Sequence, residues 1–180
     1  MERCSWLDLK NPKYVKYHDE EWGILHEDDY YLFRMLILEM FVAGLSFECV
    51  LNKVDAFKKA FDDFDYIKIA NYDDKKINEL MNNKGIIRNK LKITSAINNA
   101  SKFKEISDKF NGFINYIYTF TNGKIIYENN KTSSPLSDSI SKDLKKRGMK
   151  FLGTVTIYSY LQAIGVINSH DEKCFLYKGK

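Results

Sequence analysis

The stretch SDSISKDLKKRGMKFLGTVTIYSYLQAI, residues 137–164, consists of two helix-forming runs joined by a glycine-punctuated turn. Ser137 to Lys146 reads as one helix, Arg147 to Gly153 as a hairpin turn, and Thr154 to Ile164 as a second helix. The turn is flanked by Lys145, Lys146, Arg147 and Lys150, and the second helix opens on Thr154 and Val155. Backbone N–H groups in such a turn, with the N-terminus of the helix that follows, form a phosphate cradle that can hold a DNA backbone without reading its sequence. The same residues would also make an ordinary helix–helix turn with a glycine C-cap. Both readings stand at this point.

Outward from that stretch, apolar residues recur mostly at helical spacing and only two prolines interrupt the chain. Strand-type alternation is confined to a short piece around Lys124 to Tyr127, so the chain reads as all-α. Helices are expected from near Asp28, with Leu32, Leu36, Glu39 and Ala43 on one side, and from Ser46, an N-cap for Phe47 to Phe61. Others follow at Asp73 to Asn82, Arg88 to Phe103 and Gly112 to Phe120, with a loop over residues 122–135.

At 180 residues, a chain buries about 70% of its unfolded surface and needs no disulfide framework. Three cysteines, with Cys49 in an apolar stretch, and no apolar run approaching 18 residues give the expectation of a reducing, cytoplasmic setting, no membrane and a monomer. The net charge of +4 does not by itself imply nucleic acid. Its distribution says more. Residues 80–104 carry Lys84, Arg88, Lys90, Lys92, Lys102 and Lys104 with no acid, and residues 144–170 are acid-free as well. Two such stretches could line one phosphate-binding face, or each could be a solvated helix face.

Glu39 is the only charge in Met35 to Phe47 and shares a helical side with Leu32, Leu36 and Ala43. It is either a buried structural acid with a basic or hydroxyl partner, or a pocket acid that reads a proton-donating or cationic ligand. Trp6, Tyr14, Tyr17, Trp22 and Phe47 surround it in sequence, and flat π faces beside a carboxylate suit an electron-poor ring. Two cysteines and two histidines sit at the chain ends, as Cys4, His18, His170 and Cys174. Two thiolates with two imidazoles are a donor set that tetrahedral Zn²⁺ takes in closed structural sites. The alternative is buried thiols and unrelated histidines.

Several blocks together resemble a known family: Met1 to Trp6, Tyr17-His18-Asp19-Glu20-Glu21-Trp22-Gly23, Leu38-Glu39, Ala43 to Phe47, Gly85 to Arg88, Leu144 to Gly153 and Tyr158 to Ala163. They look like the 3-methyladenine DNA glycosylases I, the TAG type, in the family's order and over nearly the whole chain. The resemblance implies a helix-hairpin-helix DNA glycosylase fold, a compact bilobal body forming a single domain over residues 1–180. The hairpin unit lies near 138–164, and a structural zinc staples residues 1–23 to 165–180 through Cys4, His18, His170 and Cys174. It implies excision of 3-methyladenine from double-stranded alkylated DNA, with the free base as product.

Carried over by position, Glu39 is the base-reading and catalytic acid, Tyr14 and Tyr17 are pocket aromatics and Trp6 lies nearby. From the turn's own geometry, Gly148, Lys150, Gly153 and Thr154 are expected to contact the DNA backbone. Phe47 stands where the family usually has Trp, which keeps a stacking face and loses an indole N–H. Val155 occupies the position of the lysine nucleophile of bifunctional relatives, which disfavours strand cleavage. Asp171 is read as support for the metal. Two other classes remain: a zinc-stapled DNA-binding module without catalysis, and a related glycosylase for another damaged base.

Overall fold

The computed structural model describes residues 1–178. Its organising element is α2, Asp29–Val42, in which Leu32, Phe33 and every residue from Met35 to Phe41 are buried. A helix that is apolar all round has neighbours on every side. Here they are α3 (Phe47–Leu51), α7 (Lys90–Phe110), α8 (Phe113–Thr121) and α10 (Thr154–Ala163). Each fully buried Leu or Phe contributes ~1.5–3 kcal/mol, so α2 anchors whatever it carries. Asp28 caps it by accepting the Tyr31 N–H at 2.8 Å, as the sequence predicts.

The remaining helices are α1 (Pro12–Glu20), α4 (Val54–Ala60), α5 (Tyr66–Ile69), α6 (Asp74–Asn82) and α9 (Pro135–Lys146), with a 3-10 turn at Asp62–Phe64. The all-α expectation holds, with α1 and α5 unforeseen and three corrections to the elements it named. Phe47 to Phe61 is two helices, because the chain turns at Asn52 and Lys53 between α3 and α4. α7 runs on past Phe103 to Phe110 and stops where Asn111 adopts the left-handed conformation at φ +56°, a standard helix end. Residues 122–135 are not wholly loop: β1 (Ile126–Tyr127) pairs in parallel with β2 (Ile167–Asn168). That pairing ties the segment to the chain just before His170.

The hairpin forms where the sequence places it. Pro135 opens α9 behind the N-cap Ser134, whose hydroxyl accepts the Ser137 N–H while the Ser137 hydroxyl accepts the Ser134 N–H, the reciprocal arrangement of a capping box. In the turn, Gly148 has φ +91° and donates its N–H to the Lys145 carbonyl. Met149 and Leu152 are buried beneath it. Asn99, fully buried on α7, accepts the Lys150 N–H at 2.8 Å and donates to the Lys150 carbonyl at 2.9 Å. Asn98 donates to the Gly148 carbonyl at 2.9 Å. The two acid-free stretches therefore meet in space.

Candidate active site and metal centre

A cavity of about 330 Å³ opens between α1, α2, α3 and α10, lined among others by Trp6, Tyr14, Tyr17, Trp22, Glu39, Val42 and Phe47. That is the size of a small-ligand site. Asn11 caps α1 by accepting the N–H groups of Lys13 and Tyr14, and the three-residue spacing that follows puts Tyr14 and Tyr17 on one side of the helix. Phe47 lies against both, with centroids 6.3 Å from Tyr14 and 4.8 Å from Tyr17. Its place is set by Ser46, whose hydroxyl accepts the Cys49 N–H and starts α3. Trp6, the most exposed ring, tilts against Tyr14 at 5.4 Å and Trp22 at 4.9 Å.

Glu39 projects from α2 into this ring cluster. It is 5% exposed, and burial alone pushes its carboxyl up to about 8. No hydrogen bond or ion pair to it occurs among the described residues, so the reading of a structural acid with a built-in partner fails. Desolvating a carboxylate without a partner is costly, and such a group is poised for a ligand that brings donors or positive charge.

The second group lies directly behind the pocket. Cys4, His18, His170 and Cys174 are all buried, and one donor atom from each falls within 4.8 Å of the others. The set could hold a metal ion. Cys4 Sγ is 3.4 Å from His170 Nδ1, and Cys174 Sγ is 3.5 Å from both His170 Nδ1 and His18 Nε2. The outward imidazole nitrogens are engaged elsewhere: His18 Nδ1 is 2.8 Å from Asp19 Oδ1, and His170 Nε2 is 3.2 Å from the Trp22 carbonyl. Both acceptors require an N–H, which leaves a lone pair on each inward nitrogen. Arg3 in turn clamps Asp19 through its guanidinium. Burial pushes the Cys4 thiol up to about 12 and His170 down to about 4, so a thiolate at Cys4 needs a cation beside it.

Gly23, at φ +72°, passes so close that a Cβ would lie 2.7 Å from His170 Nε2. Trp22 links the two sites, its ring 4.7 Å from His170 and 4.9 Å from Trp6. Asp171 accepts the Ser5 N–H and hydroxyl at 2.6 and 2.8 Å and donates its N–H to Cys4 Sγ. It supports the group from outside, and it also reaches the pocket rim.

At the hairpin, Gly148 and Lys150 are exposed, and Gly153 and Thr154 partly so. Gly153 N-caps α10 with no side chain closing that end. Thr154 Oγ1 is turned to Ser137 Oγ at 2.8 Å, so of these four it offers its backbone N–H. Two expectations need correcting. Lys92 does not belong to the basic face: it is 6% exposed, and its ammonium donates to the Phe41 carbonyl at 2.9 Å and the Ala43 carbonyl at 2.6 Å. Cys49, in its apolar stretch, is exposed, because the short α3 turns it outward. The sequence reading also missed the polar wall of the pocket, made of Asn130, Lys131, Ser159, Gln162 and Ser169. Ser159 and Gln162 come three residues apart on α10, a spacing that signals only a shared face.

Comparison with known proteins agrees with this geometry. The methyladenine glycosylase family profile matches residues 6–177. DNA-3-methyladenine glycosylase 1 of Escherichia coli (strain K12) is 37% identical over 185 aligned positions, covering 99% of this chain and 98% of that protein. A crystal structure of 3-methyladenine DNA glycosylase I (TAG) superposes with a TM-score of 0.93 at 37% identity, over 98% of this chain and 100% of that one. A single-substitution variant of such an enzyme, solved in complex with 3-methyladenine, gives 0.92 at 32% identity over 97% of each chain. Fold and site thus define a DNA glycosylase of helical type. More narrowly, the chain belongs to the methyladenine glycosylase family.

Proposed function

We propose that this chain excises 3-methyladenine from alkylated double-stranded DNA by hydrolysing the N-glycosidic bond, with Glu39 reading the extruded base. One observation carries the assignment of the pocket: a buried carboxylate without a partner, enclosed by Tyr14, Tyr17 and Phe47. N3-methylation places a positive charge on adenine and weakens its bond to deoxyribose, so little acid catalysis is required. The hairpin backbone at Gly148, Lys150, Gly153 and Thr154 holds phosphates, and the base is flipped at a cost of a few kcal/mol. Glu39 then accepts hydrogen bonds from the adenine edge while the rings stack around it. Water adds to C1′ and loses a proton, the C1′–N9 bond breaks with its electron pair passing to the base, and neutral 3-methyladenine and an abasic site remain. Val155 offers no amine, so no covalent enzyme–sugar adduct forms.

The buried Cys4, His18, His170 and Cys174 hold Zn²⁺ in a structural role. A tetrahedral ion with Zn–S near 2.3 Å and Zn–N near 2.0–2.1 Å would have S···N edges of roughly 3.5 Å, and three of the four S···N separations are 3.4, 3.5 and 3.5 Å. Four protein donors leave no open position for water. The chain is read as one glycosylase domain over 1–180. Mass spectrometry of bases released from methylated duplex DNA tests the assignment: wild type should release 3-methyladenine and Glu39→Ala should lose about 100-fold or more of that rate, the usual scale for a site-defining group. A folded wild type that releases no base would leave only a DNA-binding module.

A further inference from the structure

α7 joins two places that matter to the DNA face. In its first turn Lys92 reaches the Phe41 and Ala43 carbonyls, at the start of the loop of residues 43–46. That loop links two pocket residues, Val42 and Phe47. Two turns on, Asn98 and Asn99 hold Gly148 and Lys150 of the hairpin. At 1.5 Å of rise per residue the two places are roughly 10 Å apart. The pocket is lined from both of these places, by Val42 and Phe47 on either side of that loop and by Ser159 and Gln162 on α10, the helix that follows the hairpin.

Three lysines of α6 and α7 are paired with acids three or four residues on, Lys76 with Glu79, Lys102 with Glu105 and Lys104 with Asp108, while Lys75 and Lys109 stand unpaired and singly among the described residues. Lys84, Arg88 and Lys90 are exposed and have no ion-pair partner among the described residues. The segment presenting them is well anchored. Asn83 Oδ1 accepts the Gly85 N–H at 2.8 Å, a Cβ on Gly85 would lie 3.0 Å from Ala56 Cβ, and Ile86 is buried. Asn89 caps α7 by accepting the Lys92 N–H at 3.0 Å.

We propose that Lys84, Arg88 and Lys90 form a second phosphate-binding cluster, across the pocket mouth from the hairpin, that grips the DNA backbone on the far side of the flipped nucleotide. Lys90, the first residue of α7, stands roughly 13 Å along the helix from Asn98 and Asn99, and phosphates recur every ~3.4 Å of axial rise along a strand, so the span corresponds to about four of them. The cluster rests on the reading of the chain as a DNA glycosylase. It adds to that reading a grip on DNA outside the hairpin, and it gives the unpaired cations a role that a solvated face would not require.

The test is binding to a duplex carrying a stable abasic-site analogue, measured over a range of salt. The triple variant Lys84→Ala/Arg88→Ala/Lys90→Ala should lower the slope of log Kd against log salt by about 2 to 3, near 0.9 for each phosphate no longer neutralised. Single-turnover base release at saturating enzyme should stay within about twofold of wild type, because no pocket residue has changed. A control with the same charge loss, Lys68→Ala/Lys104→Ala/Lys109→Ala, should leave the slope nearly unchanged. An unchanged slope in the first triple, or an equal fall in both, would overturn the proposal. Base release by wild type is scored separately and judges the glycosylase reading, while the salt slope is read whether or not any base is released.

Discussion

Glu39 is the residue at which stability and function oppose each other. Burial raises its carboxyl from the ordinary 4.5 to about 8, so between those values the folded chain keeps a proton that the unfolded chain has lost. Stability therefore falls as pH rises through that window, and the whole cost is present above it. Glu39→Gln removes the cost and should raise stability at pH 8–9 by on the order of 2–5 kcal/mol, with no gain below pH 4.5. Denaturant titration at the two pH values measures this. Binding should show the reverse: with a pKa near 8 only about a tenth of the carboxyl is ionised at pH 7, so the contribution of Glu39 to free 3-methyladenine affinity should strengthen by up to about tenfold toward pH 9. The glutamine variant supplies the baseline that removes any titration of the ligand itself. A variant no more stable than wild type at pH 9 would mean that Glu39 has a partner in solution.

At the scale of elements, the pocket depends on how three helices are held to one another. α2 brings Glu39, α10 connects the hairpin to Ser159 and Gln162, and α7 braces both through Asn99 and Lys92. The last turn of α2 contains no basic residue, so the Lys92 ammonium on its end carbonyls is the cation that a helix C-terminus favours, delivered from another element. Lys92→Met keeps the length and loses the donors. It should cost about 1–2 kcal/mol and weaken free 3-methyladenine binding about threefold to tenfold, because the 43–46 loop that sets Phe47 is released; Lys92→Arg should recover part of both. An affinity that stays at wild type while the melting temperature falls would make Lys92 structural only. Little of this was legible in the sequence. Nothing in an acid-free run says which lysine folds inward, and the break at Asn52 and Lys53 is hidden by residues that all tolerate a helix. α1 was missed because Pro12 to Glu20 divides its apolar residues between the pocket and the core. The hairpin, the N-cap Ser46 and the helix starts near Asp28 and Asp73 were legible, since capping and glycine turns are local chemistry.

At the scale of the whole molecule, the Cys4, His18, His170 and Cys174 group closes almost the entire chain into one loop, and the Phe175 N–H adds a bond to the Glu2 carbonyl beside it. The four residues were visible in the sequence as an end-to-end pattern, but their convergence depends on α1, the turn at Gly23 and the β1–β2 pairing, which no spacing rule joins. A metal ion held by the four would be a cross-link of that length and would remove much of the freedom of the unfolded chain, by analogy with disulfides about 3–5 kcal/mol, and its affinity for the folded donors would add directly to folding free energy. One equivalent of zinc should be found by elemental analysis. Cys174→Ser should lose it and lower the melting temperature by about 10 °C, at 2–4 °C per kcal/mol for a chain of this size. The pocket is coupled to this group through Trp22, whose ring packs on His170 and on Trp6. The variant should therefore release the same base as wild type at temperatures where it remains folded, with the rate reduced by less than about tenfold, the span of roughly 1.4 kcal/mol. Loss of 3-methyladenine release in a variant that is still folded would show instead that the metal acts on the reaction; an unchanged melting temperature and a retained ion would show that Cys174 is not a ligand.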